Sequence, residues 1–376
     1  MSPAVATGPF ENLNLRPHPP VKQGLAFNGA DALLVEGAAA RGFSSESTLV
    51  VNDEFGALCV SMHARALWTD SFLSSISVSN NLLRNHCAPV KVIWSTDDLQ
   101  KKLSQESKAT CSTVVMRVPK QLPYFEYQLS QLSQCLPLGT VLLAAGMDKH
   151  LAPTTAELIE KYIGPVERHR GQRKARLFSS TLDDRQRTPY PGTSEYYCEA
   201  LGKTLVSLPN VFARDKIDIG SRFLLEQLVK LEPVNKITDL ACGNGIIGLT
   251  ALSRQLCKNL LLCDESAMAI ESARINACDA FPNHNIDFHH GDGLCDFTGE
   301  PAELILCNPP FHHNHRVDET VGRRLLVQAA AHLVEGGCLC MVGNRHLNYL
   351  PVLRREFGRV EQLAQNNKFI IWLAYR

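Results

Sequence analysis

The residue types at positions 308–311 could together hold a planar amino group. Asn308, Pro309, Pro310 and Phe311 directly follow an apolar run at 304–307. The side-chain carbonyl of Asn308 and the backbone carbonyl of Pro309, whose ring fixes φ, are acceptors for the two N–H bonds of such a group. Phe311 offers a flat face on which a base can stack. The pattern favours methyl transfer to an amino nitrogen; the alternative is a Pro-Pro turn that only ends a strand.

A loop rich in small residues lies upstream, between a predicted strand and a predicted helix. Its predicted cofactor-binding members are Asp239, Ala241, Gly243, Asn244 and Gly245. The glycines allow a tight turn and a close approach of the backbone to a ligand. With Gly248 the stretch also fits Gly-x-Gly-x-x-Gly, so a dinucleotide site is an alternative.

Acidic residues at the ends of successive predicted strands could complete that site. Asp239 could contact the methionine end of S-adenosylmethionine directly or through water, and Asp264 could bind both ribose hydroxyls. Glu265 is assigned to the same site, and Asp292 could reach the adenine amino group, unless it only forms an Asp-Gly turn. Asp264 would serve NAD equally well. Asn308 and the residues after it therefore distinguish a methyltransferase from a dehydrogenase, because a dehydrogenase does not need them. Asn308 is also assigned to the cofactor site.

Similar segments recur in the same order along the chain. The separations are 194 residues for Asp70 and Asp264, 197 for Gly139 and Gly336, and 194 for Gly164 and Gly358. Each copy alternates apolar runs with amphipathic stretches, which is typical of βαβ units and a mostly parallel sheet. The sequence therefore predicts an α/β fold of two tandem Rossmann-like domains that arose by internal duplication. We place the first domain at 1–180, a linker at 181–202 and the second domain at 203–376.

The second copy carries the clearest pattern of elements. Strands are predicted at 236–240, 260–263, 286–289, 304–307, 338–342 and 369–374, and helices at 220–231, 247–255, 267–279, 320–333 and 350–357.

The first copy has lost both of the loops that could do chemistry. Its stretch 51–58 has a single glycine, and its stretch 115–120 has one proline and no Asn. It carries instead a basic strip, whose members are Arg168, Arg170, Arg173, Lys174 and Arg176. The matching stretch of the second copy has only Lys368. The degenerate copy is therefore predicted to recognise RNA through this strip; the alternative is a solvated hairpin.

Composition excludes several classes of protein. At 376 residues the chain exceeds the usual limit for one core. Lys+Arg and Asp+Glu are equal at 38 each, so a nucleic-acid partner must be met by a local patch. The 13 Cys form no Cys-x-x-Cys pair, and the spacing of His312, His313 and His315 is loose for metal ligands, so no metal site is predicted. Without a signal peptide or an apolar run of about 20 residues, the chain reads as a cytoplasmic protein.

With these residues in hand, the chain resembles class I S-adenosylmethionine-dependent methyltransferases. More narrowly, it resembles the RlmG/RsmC group of bacterial guanine-N2 rRNA methyltransferases, which have duplicated domains. Phe311 followed by His312 is typical of that group, and the strings at 51–58, 117–120, 212–220, 264–268, 344–347 and 366–369 are closer to its members that act on 23S rRNA. The resemblance covers nearly the whole chain. Ala241 is an exception to this resemblance, since the group usually has Gly at that position. We expect the exception to weaken cofactor affinity at most.

The resemblance implies a monomeric enzyme that methylates the N2 amino group of a guanine in 23S rRNA or in a precursor of the large ribosomal subunit. Asn308 and Pro309 would position the amino group for in-line transfer, and Phe311 would stack on the flipped base. Alternatives are guanine-N2 methylation of 16S rRNA, methylation of a protein glutamine or of adenine, and a non-catalytic RNA-binding protein with an idle methyltransferase fold.

Overall fold

The computed structural model describes residues 8–20, 24–43, 45–104, 111–186, 189–310 and 315–376. The chain divides into two compact units, Met1–Gly192 and Thr193–Arg376. Within the described residues, no helix is long and apolar enough to cross a membrane.

The first unit is a seven-stranded sheet with helices. Its sheet order is β3-β2-β1-β4-β5-β7-β6, in which only the pairs of β7 are antiparallel. The elements are α1 (Gly29–Ala40), β1 (Thr48–Val51), α2 (Ala57–Met62), β2 (Ala66–Thr69), α3 (Phe72–Arg84), β3 (Lys91–Trp94), α4 (Leu99–Ser104), β4 (Thr113–Arg117), α5 (Leu122–Cys135), β5 (Val141–Met147), α6 (Thr155–Tyr162), β6 (Val166–Arg168) and β7 (Ala175–Thr181).

The second unit has an equivalent sheet, of order β12-β11-β10-β13-β14-β16-β15, and a separate two-stranded sheet of β8 and β9. The elements are β8 (Ser194–Cys198), β9 (Lys203–Ser207), α7 (Ile219–Gln227), β10 (Lys236–Leu240), α8 (Ile246–Ser253), β11 (Asn259–Asp264), α9 (Ala267–Ala280), β12 (Ile286–His290), β13 (Ala302–Cys307), α10 (His315–Ala331), β14 (Leu333–Asn344), α11 (Leu350–Glu356), β15 (Arg359–Gln365) and β16 (Phe369–Tyr375).

The two sheets have the same strand order and the same antiparallel pairs, so the predicted α/β fold with an internal duplication is confirmed. Central strands of the second unit are apolar on both faces, because alternate residues enter different cores. Leu304 and Leu306 lie in one core, whereas Ile305 and Cys307 lie in the other. Burial on both faces explains why β11 and β13 contain continuous apolar runs in the sequence.

The six predicted strands and five predicted helices of the second copy are all present; strand β10 has the predicted ends, and each of the others is shifted at one end or both. Strand β15 was missed because it lies at the edge of the sheet, where its residues are largely exposed and carry no apolar pattern. Strands β8 and β9 were also missed. Strand β8 lies inside the stretch 181–202, which we interpreted as a linker, yet it belongs to the second compact unit.

Candidate active site

Three neighbouring parallel strands bring the predicted site residues to one edge of the second sheet. Leu240 at the end of β10 pairs with Cys263 of β11 and with Cys307 of β13. The small-residue loop, Asp264 and Asn308 therefore follow adjacent strand ends. The carboxyl edge of such a sheet is where ligands bind in open α/β folds.

The loop between β10 and α8 depends on three left-handed residues. The φ values are +63° at Ala241, +56° at Gly243 and +85° at Gly245. A Cβ at Gly243 would meet no atom within 4 Å, so this side of the turn is open to a ligand. A Cβ at Gly245 would lie 3.2 Å from Ala273 Cβ, because the start of α8 packs closely on α9.

Asp239 is a fully buried carboxyl group beneath this loop. Its Oδ2 accepts a hydrogen bond of 2.7 Å from the backbone N–H of Gly248. Its Oδ1 is buried and has no hydrogen-bond partner among the described residues. Burial raises the pKa of Asp239 to about 7, and the nearby charge of Asp264 adds to the rise. The free oxygen requires a donor, which an ammonium group would supply.

Asp264 holds the open turn in place. Its Oδ2 accepts a 2.9 Å hydrogen bond from the backbone N–H of Gly243, and its Oδ1 accepts one of 3.0 Å from the backbone N–H of Ser266. Glu265 follows at the same edge, and its backbone carbonyl lies 3.0 Å from His290 Nε2. The carboxylate of Asp264 is thus placed beside the glycine loop, where its ribose-binding role stays a prediction.

The side chains of Asn244 and Asp292 have protein partners. The side-chain Nδ2 of Asn244 donates 3.1 Å hydrogen bonds to the hydroxyls of Tyr196 and Ser207, and its backbone carbonyl accepts one of 2.9 Å from Asn276 Nδ2. Asp292 follows β12, is buried, and accepts a hydrogen bond from Arg324 of α10 through its Oδ2. The adenine contact of Asp292 stays a prediction that must accommodate this ion pair.

Asn308 follows β13 with its side-chain amide in a fixed orientation. Its Nδ2 donates hydrogen bonds of 3.2 Å to Asp218 Oδ2 and 2.8 Å to Ser221 Oγ. Its Oδ1 is buried and has no partner among the described residues. Pro309 is buried and Pro310 is half-buried, whereas Phe311, His312 and His313 lie outside the described residues. The carbonyl oxygen of Asn308 is thus without a partner in the described part of the chain, and its role as acceptor for an amino group stays a prediction.

The start of α7 is the part of this site that sequence reasoning missed. Asp218 caps the helix by accepting a 3.1 Å hydrogen bond from the backbone N–H of Ser221. A Cβ at Gly220 would lie 3.3 Å from Asn308 Oδ1 and 3.0 Å from Asp218 Oδ2. The pattern Asp-x-x-Ser before an apolar helix is a recognisable N-cap signal, but it does not show that the cap contacts Asn308.

The first unit has a buried carboxylate within the loop that corresponds to the small-residue loop. Asn52 and Gly56 follow β1 with φ values of +60° and +92°, as Ala241 and Gly245 follow β10. Here a carboxylate within the loop, Asp53, accepts hydrogen bonds of 2.8 Å from the backbone N–H groups of Gly56 and Cys59. Asp53 thus satisfies backbone N–H groups at the start of α2, as Asp239 does at Gly248 in α8.

In the first unit, the residue that corresponds to Asn308 forms an ion pair. Val51 pairs with Met116 as Leu240 pairs with Cys307, so Arg117 is the counterpart of Asn308. Arg117 Nη1 lies 2.5 Å from Oδ1 of Asp31, which is in the first turn of α1. An arginine has no acceptor for an amino group, so this copy lacks the feature that would position one.

The predicted basic strip lies on the hairpin of β6 and β7. All five of its side chains are exposed. Arg173 pairs with Glu36 at 2.8 Å and Arg176 with Asp148 at 3.8 Å. Among the described residues, no ion-pair partner lies near the other three members of the strip.

Among the described side chains, no group of three His, Cys, Asp or Glu is arranged to hold a metal ion. The residues at the edge of the second sheet do fit S-adenosylmethionine. Asp239 presents a buried acceptor that requires a donor, Gly243 leaves an open turn, and Asn308 presents a second acceptor beside them.

Comparisons with known proteins match both units of the chain. A family model described as RLMG N-terminal domain matches residues 4–184, and one described as Methyltransferase small domain matches residues 202–373. The chain is 37% identical over 373 residues to Ribosomal RNA large subunit methyltransferase G of Ectopseudomonas mendocina, with 98% of each chain covered. It is 37% identical over 364 residues to that of Alcanivorax borkumensis, covering 92% of this chain and 90% of the relative.

A solved structure shares the fold along both units. It is the T. thermophilus 16S rRNA N2 methyltransferase RsmC in complex with AdoMet and guanosine. The TM-score is 0.74 at 20% identity, with 98% of this chain and 99% of the other covered.

Proposed function

The chain belongs to the ribosomal RNA large subunit methyltransferase G family, and on that premise we propose that it methylates the exocyclic N2 amino group of a guanine in 23S rRNA. The observation that carries the proposal is the buried, unpartnered Oδ1 of Asn308. It lies at the strand edge that also holds the open turn at Gly243, so an acceptor for an amino group lies beside a fitting cofactor loop.

The cofactor is S-adenosylmethionine, which supplies an electrophilic methyl group when it is bound. Asp239 accepts a hydrogen bond from the ammonium of the methionine end, directly or through water. Asp264 accepts from the ribose hydroxyls while it holds the loop at Gly243, and Asp292 serves the adenine end.

The base is held at its amino group. Asn308 Oδ1 and the carbonyl of Pro309 accept the two amino N–H bonds and fix the direction of the nitrogen lone pair. Phe311 stacks on the flipped base. No residue is required as a strong base, because the methylated ammonium product is acidic enough to lose its proton to solvent. Most of the acceleration comes from orientation and fixed dipoles.

The first unit recognises the RNA. The carboxylate in its loop and the ion pair of Arg117 support a role other than catalysis, and the basic strip supports contact with phosphates. Both functions are present in one chain, so we expect a monomer that acts in the cytoplasm on 23S rRNA or a precursor of the large subunit.

The test is transfer of labelled methyl from S-adenosylmethionine to rRNA purified from a strain that lacks the gene, with 16S and 23S RNA separated before nucleoside analysis. We expect label in 23S RNA as N2-methylguanosine. Label in 16S RNA alone would move the assignment to the small-subunit substrate, and label in neither RNA nor assembled subunits would reject the proposal.

Asn308→Ala is the matched variant for this assay. It removes one oriented acceptor, so turnover should fall about 100-fold, while calorimetric binding of S-adenosylmethionine stays within a factor of two or three. Near-normal turnover would show that Asn308 does not hold the amino group.

A further inference from the structure

The first turn of α7 determines which end of the Asn308 amide faces the active site. Asn308 Nδ2 donates to Asp218 Oδ2 at 3.2 Å and to Ser221 Oγ at 2.8 Å. An ionised carboxylate only accepts hydrogen bonds. If the amide rotated by half a turn, its oxygen would face the oxygen of Asp218, and two acceptors would repel each other. The contact therefore directs Nδ2 to these two side-chain oxygens and leaves Oδ1 without a partner among the described residues.

The same oxygen of Asp218 performs two tasks. It caps α7 by accepting from the backbone N–H of Ser221 at 3.1 Å, and it accepts from Asn308. The helix cap fixes the carboxylate, because its position is set by the backbone of the first turn. The orientation of Asn308 is thereby tied to a regular element and not to a flexible loop.

Gly220 keeps the space around the acceptor clear. A Cβ at this position would lie 3.3 Å from Asn308 Oδ1, 3.0 Å from Asp218 Oδ2 and 3.4 Å from Phe369 Cε1. Any larger residue would crowd the oxygen that has no partner.

The first unit provides an internal comparison at the same two positions. Arg117 is the counterpart of Asn308, and Asp31 is the third residue of α1 as Ser221 is the third residue of α7. Helix α1 packs on β5 and β7 as α7 packs on β14 and β16. In the first unit Arg117 replaces the acceptor Asn308 and Asp31 replaces Ser221, and Arg117 and Asp31 form an ion pair. Residues at these two positions thus contact each other in both units.

We propose that Asp218 and Ser221 are positioning residues, which hold the Asn308 amide so that its carbonyl faces the amino group of the substrate. The inference rests on the proposed function, since it deepens the role of the same site. It also defines the substrate chemically: the site selects a group that donates hydrogen bonds, such as –NH2, over a ring nitrogen or a carbonyl that only accepts.

Two substitutions remove the partners while the fold is preserved. Asp218→Ser keeps an N-cap oxygen for α7 but is too short to reach Asn308, and Ser221→Ala removes the second acceptor. We expect kcat for RNA methylation to fall about 10-fold in each single variant, with the S-adenosylmethionine Kd and the RNA KM within about twofold of wild type. Asp218→Asn keeps an oxygen for both contacts and should restore at least a third of kcat.

A double-mutant cycle separates positioning from a general loss of structure. If Asp218 and Ser221 act through Asn308, Asp218→Ser/Ser221→Ala should cause no further loss of kcat in an Asn308→Ala background. An equal loss in both backgrounds, or wild-type kcat in the single variants, would overturn the inference. If Asp218→Ser does not fold, as judged by its melting temperature, Ser221→Ala alone still provides the cycle.

Failure of the proposed function gives a different result from failure of the positioning role. If the proposed function is wrong, the wild-type protein labels no guanine N2 in any rRNA. If only the positioning role is wrong, wild-type methylation is intact.

Discussion

Asp239 illustrates how single residues in this site are kept in a costly environment. It is completely buried, one of its oxygens has no partner among the described residues, and burial raises its pKa to about 7. A carboxyl whose pKa is higher in the folded protein than in the unfolded chain binds its proton more tightly when folded. Its contribution therefore opposes folding increasingly as the pH rises from its model value of 3.8 to about 7.

Asp239→Asn removes this titration. We expect the free energy of unfolding of the cofactor-free variant, relative to wild type, to shift in favour of the variant by about 1–3 kcal/mol between pH 5 and pH 8. Thermal unfolding at both pH values measures the shift, and calorimetry should show cofactor affinity at least about 10-fold weaker. Parallel pH profiles for the two proteins would contradict the raised pKa.

Ala241 and Gly245 form a matched pair, because both have positive φ values in the same loop, +63° and +85°. Gly245→Ala adds a Cβ that lies 3.2 Å from Ala273 and 3.3 Å from Leu249, so it should cost about 1–3 kcal/mol of stability. Ala241→Gly relieves left-handed strain but adds chain entropy to the unfolded state, so stability should change by less than about 1 kcal/mol. Chemical denaturation of both variants provides the comparison; equal losses would show that strain at the two positions does not differ.

The hairpin of β6 and β7 is the element that carries the proposed RNA contact. Gln172 and Ala175 pair across a two-residue turn whose central residues, Arg173 and Lys174, have φ values of +52° and +58°. Two consecutive left-handed positions usually favour Asn or Gly. Keeping basic residues there costs stability, which is typical of positions maintained for binding.

Arg170→Glu/Lys174→Glu should raise the RNA KM about 10-fold and reduce its salt dependence, because both side chains are exposed and lack ion-pair partners among the described residues. Cofactor affinity should not change. Steady-state kinetics with purified rRNA at two salt concentrations measures the effect.

The control is Lys230→Glu/Lys258→Glu, which makes the same change in net charge on exposed residues that precede β10 and β11, at the opposite ends of these strands from Asn308. An equal rise in KM for both double variants would indicate a general charge effect and would remove the hairpin from the binding surface.

At the scale of the whole molecule, the two units have the same fold but different side chains at the equivalent strand ends. In the first unit the loop after β1 contains a buried carboxylate, Asp53, and burial raises its pKa to about 6. Arg117 and Asp31 pair where the second unit leaves the Asn308 oxygen free. The duplication therefore kept the sheet and changed the chemistry of its edge.

The intact chain should therefore bind one S-adenosylmethionine. Calorimetry of the full-length protein should give a stoichiometry of one. Asp264→Ala should abolish the binding, because it removes the carboxylate that holds the turn at Gly243. Two sites per chain would show that the first unit retains a cofactor pocket, and wild-type binding in the variant would show that Asp264 does not hold the cofactor loop.

Much of the fold was readable because local pattern and tertiary environment agree. Strands β11 and β13 are buried on both faces and contain unbroken apolar runs, at 260–263 and 304–307. Strands β8 and β15 were not predicted, since exposed strands lack that signal and depend on a partner strand for their hydrogen bonds.

The sequence by itself determined the family, the duplication and the residue types that could bind an amino group and a cofactor. Only the tertiary structure decided how these residues are used. It placed Asp218 and Ser221 against Asn308, 90 and 87 positions away in the chain, and committed the side chain of Asn244 to β8 and β9. The reason is physical: a hydrogen bond depends on distance and direction in space, and contacts between residues far apart in the chain leave no periodic pattern in the sequence.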